Sequence, residues 1–229
     1  MDADGRSTVH ESSQKSRPSQ PGTAASSGDD RNELRVCVVG DELVAGAGDA
    51  RGLGWTGRVA ARTRFDGVTV VMPLAIPGEG SSALSQRWDA ETSRRFSTAP
   101  GADNRLVVAL GRHDVDTDLS LARSRLNLAN VLDVAEQRRL PTFVVGPPPG
   151  TPQQNLRLQE LSDAYADVAS RRRVPYVDTF GPLVGHEQWL GDLATGPTGM
   201  PGQAGYGLMA WLVLHTGWHA WLGLPDPAL

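Results

Sequence analysis

The sequence predicts a three-layer α/β/α protein, in which helices cover both faces of a parallel five-stranded β-sheet. Five short apolar runs, most of them rich in valine, alternate with segments of helical spacing. Nearly continuous apolar runs are typical of strands that are buried on both faces. Repeated strand–helix alternation favours parallel strands, because a helix can then serve as each crossover. With 229 residues, the chain has room for one sizeable domain.

The predicted elements follow one another in a regular order. The apolar runs predict strands at 34–39, 68–76, 106–110, 141–145 and 174–177. Apolar residues three and four positions apart predict helices between the later strands, at Leu121, Leu128, Val131, Leu132 and Ala135, and at Leu158, Leu161, Tyr165 and Val168. A last helix is expected over about 204–222, and its tryptophans are interpreted as core or interface residues: Trp211, Trp218 and Trp221.

Residues 1–32 differ in composition from the rest of the chain. They are rich in Ser, Gly, Asp, Gln and Pro, and they contain no aromatic residue. Such a segment cannot bury enough apolar surface to offset the entropy lost on ordering. We therefore expect a disordered tail over 1–32 and a folded domain over 33–229; the composition of the tail points to no particular protein partner.

Charge and composition exclude several classes of protein. The formal net charge of −4 argues against a nucleic-acid binder, which would normally present a basic face. Cys37 is the single cysteine, so an intrachain disulfide and a CxxC metal site are excluded. The longest purely apolar run, 208–214, is shorter than the ~18 residues of a membrane span, and the first residues lack the apolar core of a signal peptide. The expected location is cytoplasmic.

The turns after the predicted strands form the candidate site, because open parallel sheets bind ligands outside the carboxyl ends of their strands. Three of these turns place glycine beside ionisable residues, at 40–42, 77–80 and 111–114. The fourth, at 146–149, reads Gly-Pro-Pro-Pro and is stiff, since its prolines lack backbone donors.

Four short blocks at these turns carry a family resemblance. Residues 38–46 read Val-Val-Gly-Asp-Glu-Leu-Val-Ala-Gly, Gly78 follows the second strand, residues 111–114 read Gly-Arg-His-Asp, and residues 197–206 read Pro-Thr-Gly-Met-Pro-Gly-Gln-Ala-Gly-Tyr. In this order they resemble the blocks of the SGNH/GDSL hydrolase family: Gly-Asp-Ser-Leu, a lone glycine, Gly-x-Asn-Asp, and Asp-x-x-His-Pro-x-x-x-Gly-Tyr. The resemblance covers about 34–222. It implies a flavodoxin-like α/β fold and hydrolysis of small acyl esters, thioesters or acetylated sugars.

The resemblance also assigns positions, and this chain departs from the family at most of the reactive ones. Glu42 stands at the position of the nucleophilic serine, and His113 stands at that of the oxyanion-hole asparagine. Met200 takes the position of the base histidine, and Pro197 that of the aspartate orienting it. Gly78 keeps the position of the oxyanion-hole glycine.

These departures remove the usual serine mechanism, which needs a hydroxyl, a base within hydrogen-bond reach and a group that orients the base. Glu42 could attack a carbonyl only by forming an anhydride, and Met200 has no titratable proton. We therefore predict a degenerate esterase that keeps a pocket for a small acyl ester or an anion, with Asp41 and Asp114 lining it, or keeps only the fold. In this interpretation, the donors that would stabilise an oxyanion hold the carboxylate of Glu42 instead.

Alternatives stay open at this point. Glu42 and His113 could perform general acid–base catalysis on water, which would make the protein an active hydrolase of small acyl esters. Asp41 and Glu42 could instead simply cap a helix, and His113 could be a hydrogen-bonded loop residue. The same three side chains could bind a metal ion, although nothing in their spacing demands one. A rebuilt pair of Ser81 with His113, or of Thr198 with His186, is a further alternative.

Two weaker patterns are interpreted structurally. His215 and His219 have the spacing of a zinc-binding helix but lack the glutamate of H-E-x-x-H. Residues 78–83 match G-x-G-x-x-A, but they follow the second strand, and the four-block resemblance already accounts for the first glycine. The sequence therefore predicts no metal ion and no cofactor.

Overall fold

The sheet consists of five parallel strands. A computed structural model describes residues 33–196 and 199–225, so the predicted tail at 1–32, Pro197 and Thr198 lie outside the described residues. The strands are β1 (Leu34–Gly40), β2 (Thr69–Ala75), β3 (Asp103–Ala109), β4 (Thr142–Val145) and β5 (Tyr176–Val177). Their order across the sheet is β2–β1–β3–β4–β5, the flavodoxin order, with every neighbouring pair parallel. The predicted fold class is confirmed.

The central strands are buried on both faces, in agreement with their continuous apolar runs. Val36 and Val38 of β1 pack into the core on one side of the sheet, whereas Cys37 and Val39 pack into the core on the other. This alternation follows from the two-residue period of a strand. Strand β2 lies at the edge of the sheet, a place where the missing N–H of Pro73 is tolerated.

Helices cover both faces of the sheet. They are α1 (Glu42–Ala45), α2 (Gly54–Arg62), α3 (Ser81–Ser93), α4 (His113–Asp116), α5 (Leu121–Gln137), α6 (Pro152–Arg171), α7 (Phe180–Leu183), α8 (Glu187–Thr195), α9 (Gln203–Val213) and α10 (His219–Leu222). Helices α2, α8, α9 and α10 pack on one face, and α3, α5 and α6 pack on the other. None of the helices within the described ranges combines the length and apolar content needed to cross a bilayer.

The C-terminal helical segment is broken, which corrects the prediction of one continuous helix over about 204–222. A wide π-helical turn at Leu214–Trp218 separates α9 from α10. Within it Gly217 has a φ of 81°, a left-handed conformation that glycine adopts without strain. The break turns Trp218 into the core, where its ring meets Phe143 edge to face at 5.6 Å, while Trp211 stays exposed.

The packing of α5 predicts a sharp difference between two of its leucines. Leu128 is 1 % exposed and lies in the core, whereas Leu126 is 47 % exposed. We expect Leu128→Ala to lower the free energy of unfolding by about 2–5 kcal/mol, because the truncation leaves a cavity. Leu126→Ala on the same helix is the matched control, with an expected loss below about 1 kcal/mol. Urea denaturation followed by circular dichroism measures both, and equal losses would contradict this packing.

Candidate functional site

The first site residues come from the junction of β1 and α1. Asp41 is the N-cap of α1, and its Oδ1 accepts a hydrogen bond from the backbone N–H of Leu43 at 2.9 Å. Glu42 is the first residue of the helix and is 8 % exposed. Gly40, the last residue of β1, has no room for a side chain, because a Cβ would lie 2.0 Å from the carbonyl oxygen of Ala109 in β3. β1 and β3 are therefore tightly packed where β1 ends, and Glu42 follows two residues after Gly40.

The turn after β2 brings a backbone donor to Glu42. Gly78 adopts a φ of 77°, and its N–H donates to Oε2 of Glu42 at 2.9 Å. The next residue, Glu79, is buried, and its carboxylate accepts hydrogen bonds at 2.5 Å from Arg87 of α3. The same guanidinium also donates to the carbonyl of Leu74 in β2 at 2.9 Å, so it ties this turn to the strand before it.

The turn after β3 supplies the second donor. His113 begins α4, and its Nε2 lies 2.8 Å from Oε1 and 2.9 Å from Oε2 of Glu42. Its Nδ1 lies 3.7 Å from Oδ2 of Asp116, one turn further along the same short helix. The imidazole therefore stands between two carboxylates. An ionised Glu42 requires Nε2 to carry a proton and donate it.

Two neighbouring carboxyl groups at the site have opposite pKa shifts. Burial opposes ionisation of Glu42, but hydrogen bonds from the N–H of Gly78, from its own N–H and from His113 overcome it and hold its pKa below the usual range. Asp41 is 1 % exposed, and burial together with the charge of Glu42 raises its pKa to about 7. Its Oδ2 has no hydrogen-bond partner among the described residues. Glu42 is therefore the first of the two carboxyl groups to ionise as the pH rises.

Asp114, which was expected to line the pocket, has a structural position instead. Its Oδ1 accepts from the N–H of Ser81 at the start of α3 at 2.7 Å, and its Oδ2 accepts from the hydroxyl of Tyr165 in α6 at 3.1 Å. The hydroxyl of Ser81 accepts from Asn127, and no hydrogen bond joins it to His113 within the described part of the chain. The structure thus does not form the alternative pair of Ser81 and His113.

A narrow cleft opens in front of Glu42. Its lining is apolar apart from Glu42 and Arg112, and comprises Leu43, Pro148, Pro149, Gly150, Trp189, Leu193, Gly199, Met200 and Pro201. A second depression of about 270 Å³ lies along α8 and shares Arg112, Gly150, Leu193 and Gly199 with the first. Met200 is buried in this wall, so the position aligned with the base histidine carries a thioether in the same cleft as Glu42. Asp41 does not line this cleft; it borders a smaller one behind Leu43.

The remaining candidates lie apart from this cluster or outside the described residues. Pro197 and Thr198 fall in the undescribed gap. His186 caps α8, with its Nδ1 accepting from the N–H of Gln188 at 3.3 Å. His215 is exposed and stacks on Trp211, while His219 is buried on the far side of the helix break.

Asp41, Glu42 and His113 each offer a potential metal-ligand atom within 4.8 Å of the others. Two carboxylates and an imidazole are a donor set suited to a divalent transition metal. Here, however, Glu42 and His113 already satisfy each other through a direct hydrogen bond. The absence of a metal ion stays a prediction.

Sequence reasoning missed two features of the site. Arg112 reaches the cleft, with a guanidinium nitrogen 3.9 Å from Oε1 of Glu42 and another 3.6 Å from Oδ2 of Asp116. The pair of Glu79 and Arg87 buttresses the turn that contains Gly78. The position of Arg112 directly before His113 could have identified it as a site residue. No sequence signal pairs Arg87 with Glu79, because only the fold brings α3 to this turn.

Comparison with known proteins agrees with this geometry. The model of the GDSL-like lipase/acylhydrolase family matches residues 38–208, and the chain belongs to that family. A lipase/acylhydrolase from Enterococcus faecalis is 17 % identical, with a TM-score of 0.65 over 86 % of this chain and 100 % of that one. A search of curated protein sequences found no match.

Two further solved structures share the fold at low identity. TesA is 20 % identical, with a TM-score of 0.62 over 80 % of this chain and 97 % of that one. A mutant of the acetyl-xylooligosaccharide esterase Axe2 from Geobacillus stearmophilus is 15 % identical, with a TM-score of 0.65 over 84 % and 97 %. At identities this low, the structural matches show that this chain shares the α/β/α fold, and nothing more specific.

The raised pKa of Asp41 predicts a pH-dependent stability. Below its unfolded pKa of 3.8 the carboxyl is neutral in both states; as the pH rises to about 7, the unfolded state ionises first and folding loses stability. Asp41→Asn keeps an acceptor for Leu43 and removes this loss. Between pH 5 and pH 8, the difference in unfolding free energy should shift by about 2 kcal/mol in favour of the variant. Urea denaturation at both pH values measures it, and parallel changes in the two proteins would contradict it.

Proposed function

We propose that the protein is a ligand-binding member of the GDSL-like family that has lost serine-type acyl transfer and keeps a small-molecule pocket. One observation carries the proposal. The N–H of Gly78 and Nε2 of His113, which occupy the positions of oxyanion-hole donors in the family, both hydrogen-bond the carboxylate of Glu42. A fixed anion where substrate charge would develop opposes an oxyanion instead of stabilising it.

The cleft supports binding in place of turnover. Glu42 stands at the nucleophile position, and the thioether of Met200, at the base position, can neither accept nor deliver a proton. The mostly apolar wall with two charged side chains is typical of a small-molecule site.

A second candidate function rests on His113. Its two ring nitrogens face Glu42 and Asp116, and such a carboxylate–imidazole arrangement beside a cleft could activate water for ester hydrolysis. Residual activity in this candidate depends on Glu42 and His113, whereas the ligand-binding function predicts that neither affects the rate.

Hydrolysis of p-nitrophenyl acetate separates the two functions. We expect the wild-type rate to equal that of Glu42→Ala and of His113→Ala, because Glu42 and Met200 take the positions of the family's nucleophile and base. His215→Ala is the matched control, since it removes an exposed imidazole that stacks on Trp211 and does not line the cleft. A loss of at least about 100-fold in Glu42→Ala or His113→Ala, with His215→Ala unchanged, would overturn the proposal and establish a rebuilt hydrolase.

A further inference from the structure

Hydrogen bonds hold the carboxylate of Glu42 in place at the floor of the cleft. The carboxylate of Glu42 is held by two donors, the N–H of Gly78 and Nε2 of His113. It belongs to a helix that begins at the sheet edge, and it is 8 % exposed. A ligand in the cleft therefore meets a fixed negative charge in a partly desolvated place, where repulsion between like charges is stronger than in water.

Arg112 supplies hydrogen-bond donors in the same cleft without a surplus of positive charge. Its guanidinium lies 3.9 Å from the carboxylate of Glu42 and 3.6 Å from that of Asp116, so two anions already face one cation. Both separations exceed hydrogen-bond distance, and the guanidinium makes no hydrogen bond with any residue of the described ranges. Its N–H groups are therefore open to an acceptor, and its side chain is 25 % exposed.

The walls of the cleft favour an apolar ligand. Leu43, Leu193 and Met200 contribute aliphatic surface, and Trp189 is held in place because its Nε1 donates to the carbonyl of Pro149 at 3.2 Å. Trp189 itself is 1 % exposed, so the apolar contact for a ligand comes from the aliphatic side chains in front of it.

From this arrangement we infer that the cleft takes uncharged apolar molecules with a carbonyl-type acceptor, and that Glu42 excludes the corresponding carboxylates. The acceptor oxygen receives a hydrogen bond from Arg112, and the apolar chain lies along Leu43 and Leu193. The inference rests on the proposed ligand-binding function and adds the class of ligand. Glu42 thereby acts as the residue that determines specificity.

A matched pair of probes tests the charge selection. Hexanamide and hexanoate have the same chain, and at pH 6, where Asp41 is largely protonated, they differ in the charge of the head group. We expect hexanamide to bind wild-type protein at least about tenfold more tightly than hexanoate, because of repulsion by Glu42. Titrations followed by the backbone amide shifts of Leu43, Gly150 and Leu193 give both dissociation constants and report binding in the cleft itself.

Three variants test which residues cause the preference for hexanamide over hexanoate. Glu42→Gln removes the charge at nearly constant shape, and it should reduce the preference for hexanamide to within about threefold by strengthening hexanoate binding. Arg112→Ala should weaken hexanamide binding by about tenfold, because the acceptor loses its charged donor. Arg94→Ala is the control, because Arg94 is exposed directly after α3 and does not line the cleft. It should leave both dissociation constants unchanged.

The wild-type comparison decides the inference even if a variant fails to fold. Hexanoate binding as tightly as hexanamide would overturn the charge selection while leaving the ligand-binding function in place. Failure of both probes to shift any cleft amide up to their solubility limits would overturn the inference and count against the ligand-binding function as well.

Discussion

The hydrogen-bonded carboxylate of Glu42 connects the turns that follow three adjacent strands of the sheet. Glu42 follows β1, Gly78 follows β2 and His113 follows β3, and β1 lies between the other two. A buried anion is costly unless several donors converge on it, and here a backbone N–H and an imidazole do so from opposite sides. The turns after β1, β2 and β3 are therefore joined through one internal anion.

Three carboxyl groups of the first and third turns have different environments and consequently different roles. Asp41 is buried against residue 111, where a Cβ would lie only 2.0 Å from its Oδ2, so this packing requires glycine at that position. Glu42 is ionised and occupied by donors, while Asp114 links the start of α3 to Tyr165 of α6. The carboxyl groups of these two turns thus serve as a helix cap, an internal anion and an anchor between helices.

The cleft is assembled from segments that are distant along the chain. Its floor comes from the turns after β1 and β3, one wall from Pro148–Gly150, and the other from α8 and residues 199–201. Membership of the GDSL-like family accounts for the sheet and for the position of these turns. The apolar wall next to a fixed carboxylate is a property of this chain's own side chains, and it links the proposed ligand-binding function with selection by charge.

Much of the architecture was predictable from sequence because it depends on local patterns. The valine-rich runs of β1 and β3 indicated strands buried on both faces, and the helical spacing from Leu158 to Val168 indicated α6. The prediction of an unbroken last helix was wrong, since the apolar pattern continues through Gly217 although the backbone does not. The motif blocks also placed Glu42, Gly78 and His113 at neighbouring strand ends.

What the sequence determined by itself was therefore the fold class, the family and the identity of the side chains at the sheet edge. The tertiary structure alone decided which of these side chains touch. It joined Glu42 to Gly78 and His113, moved Asp114 into a structural role, and brought Arg112 and Trp189 to one cleft. The physical reason is that hydrogen-bond partners and pKa shifts depend on distances of a few ångströms between residues far apart in the chain, which no local pattern encodes.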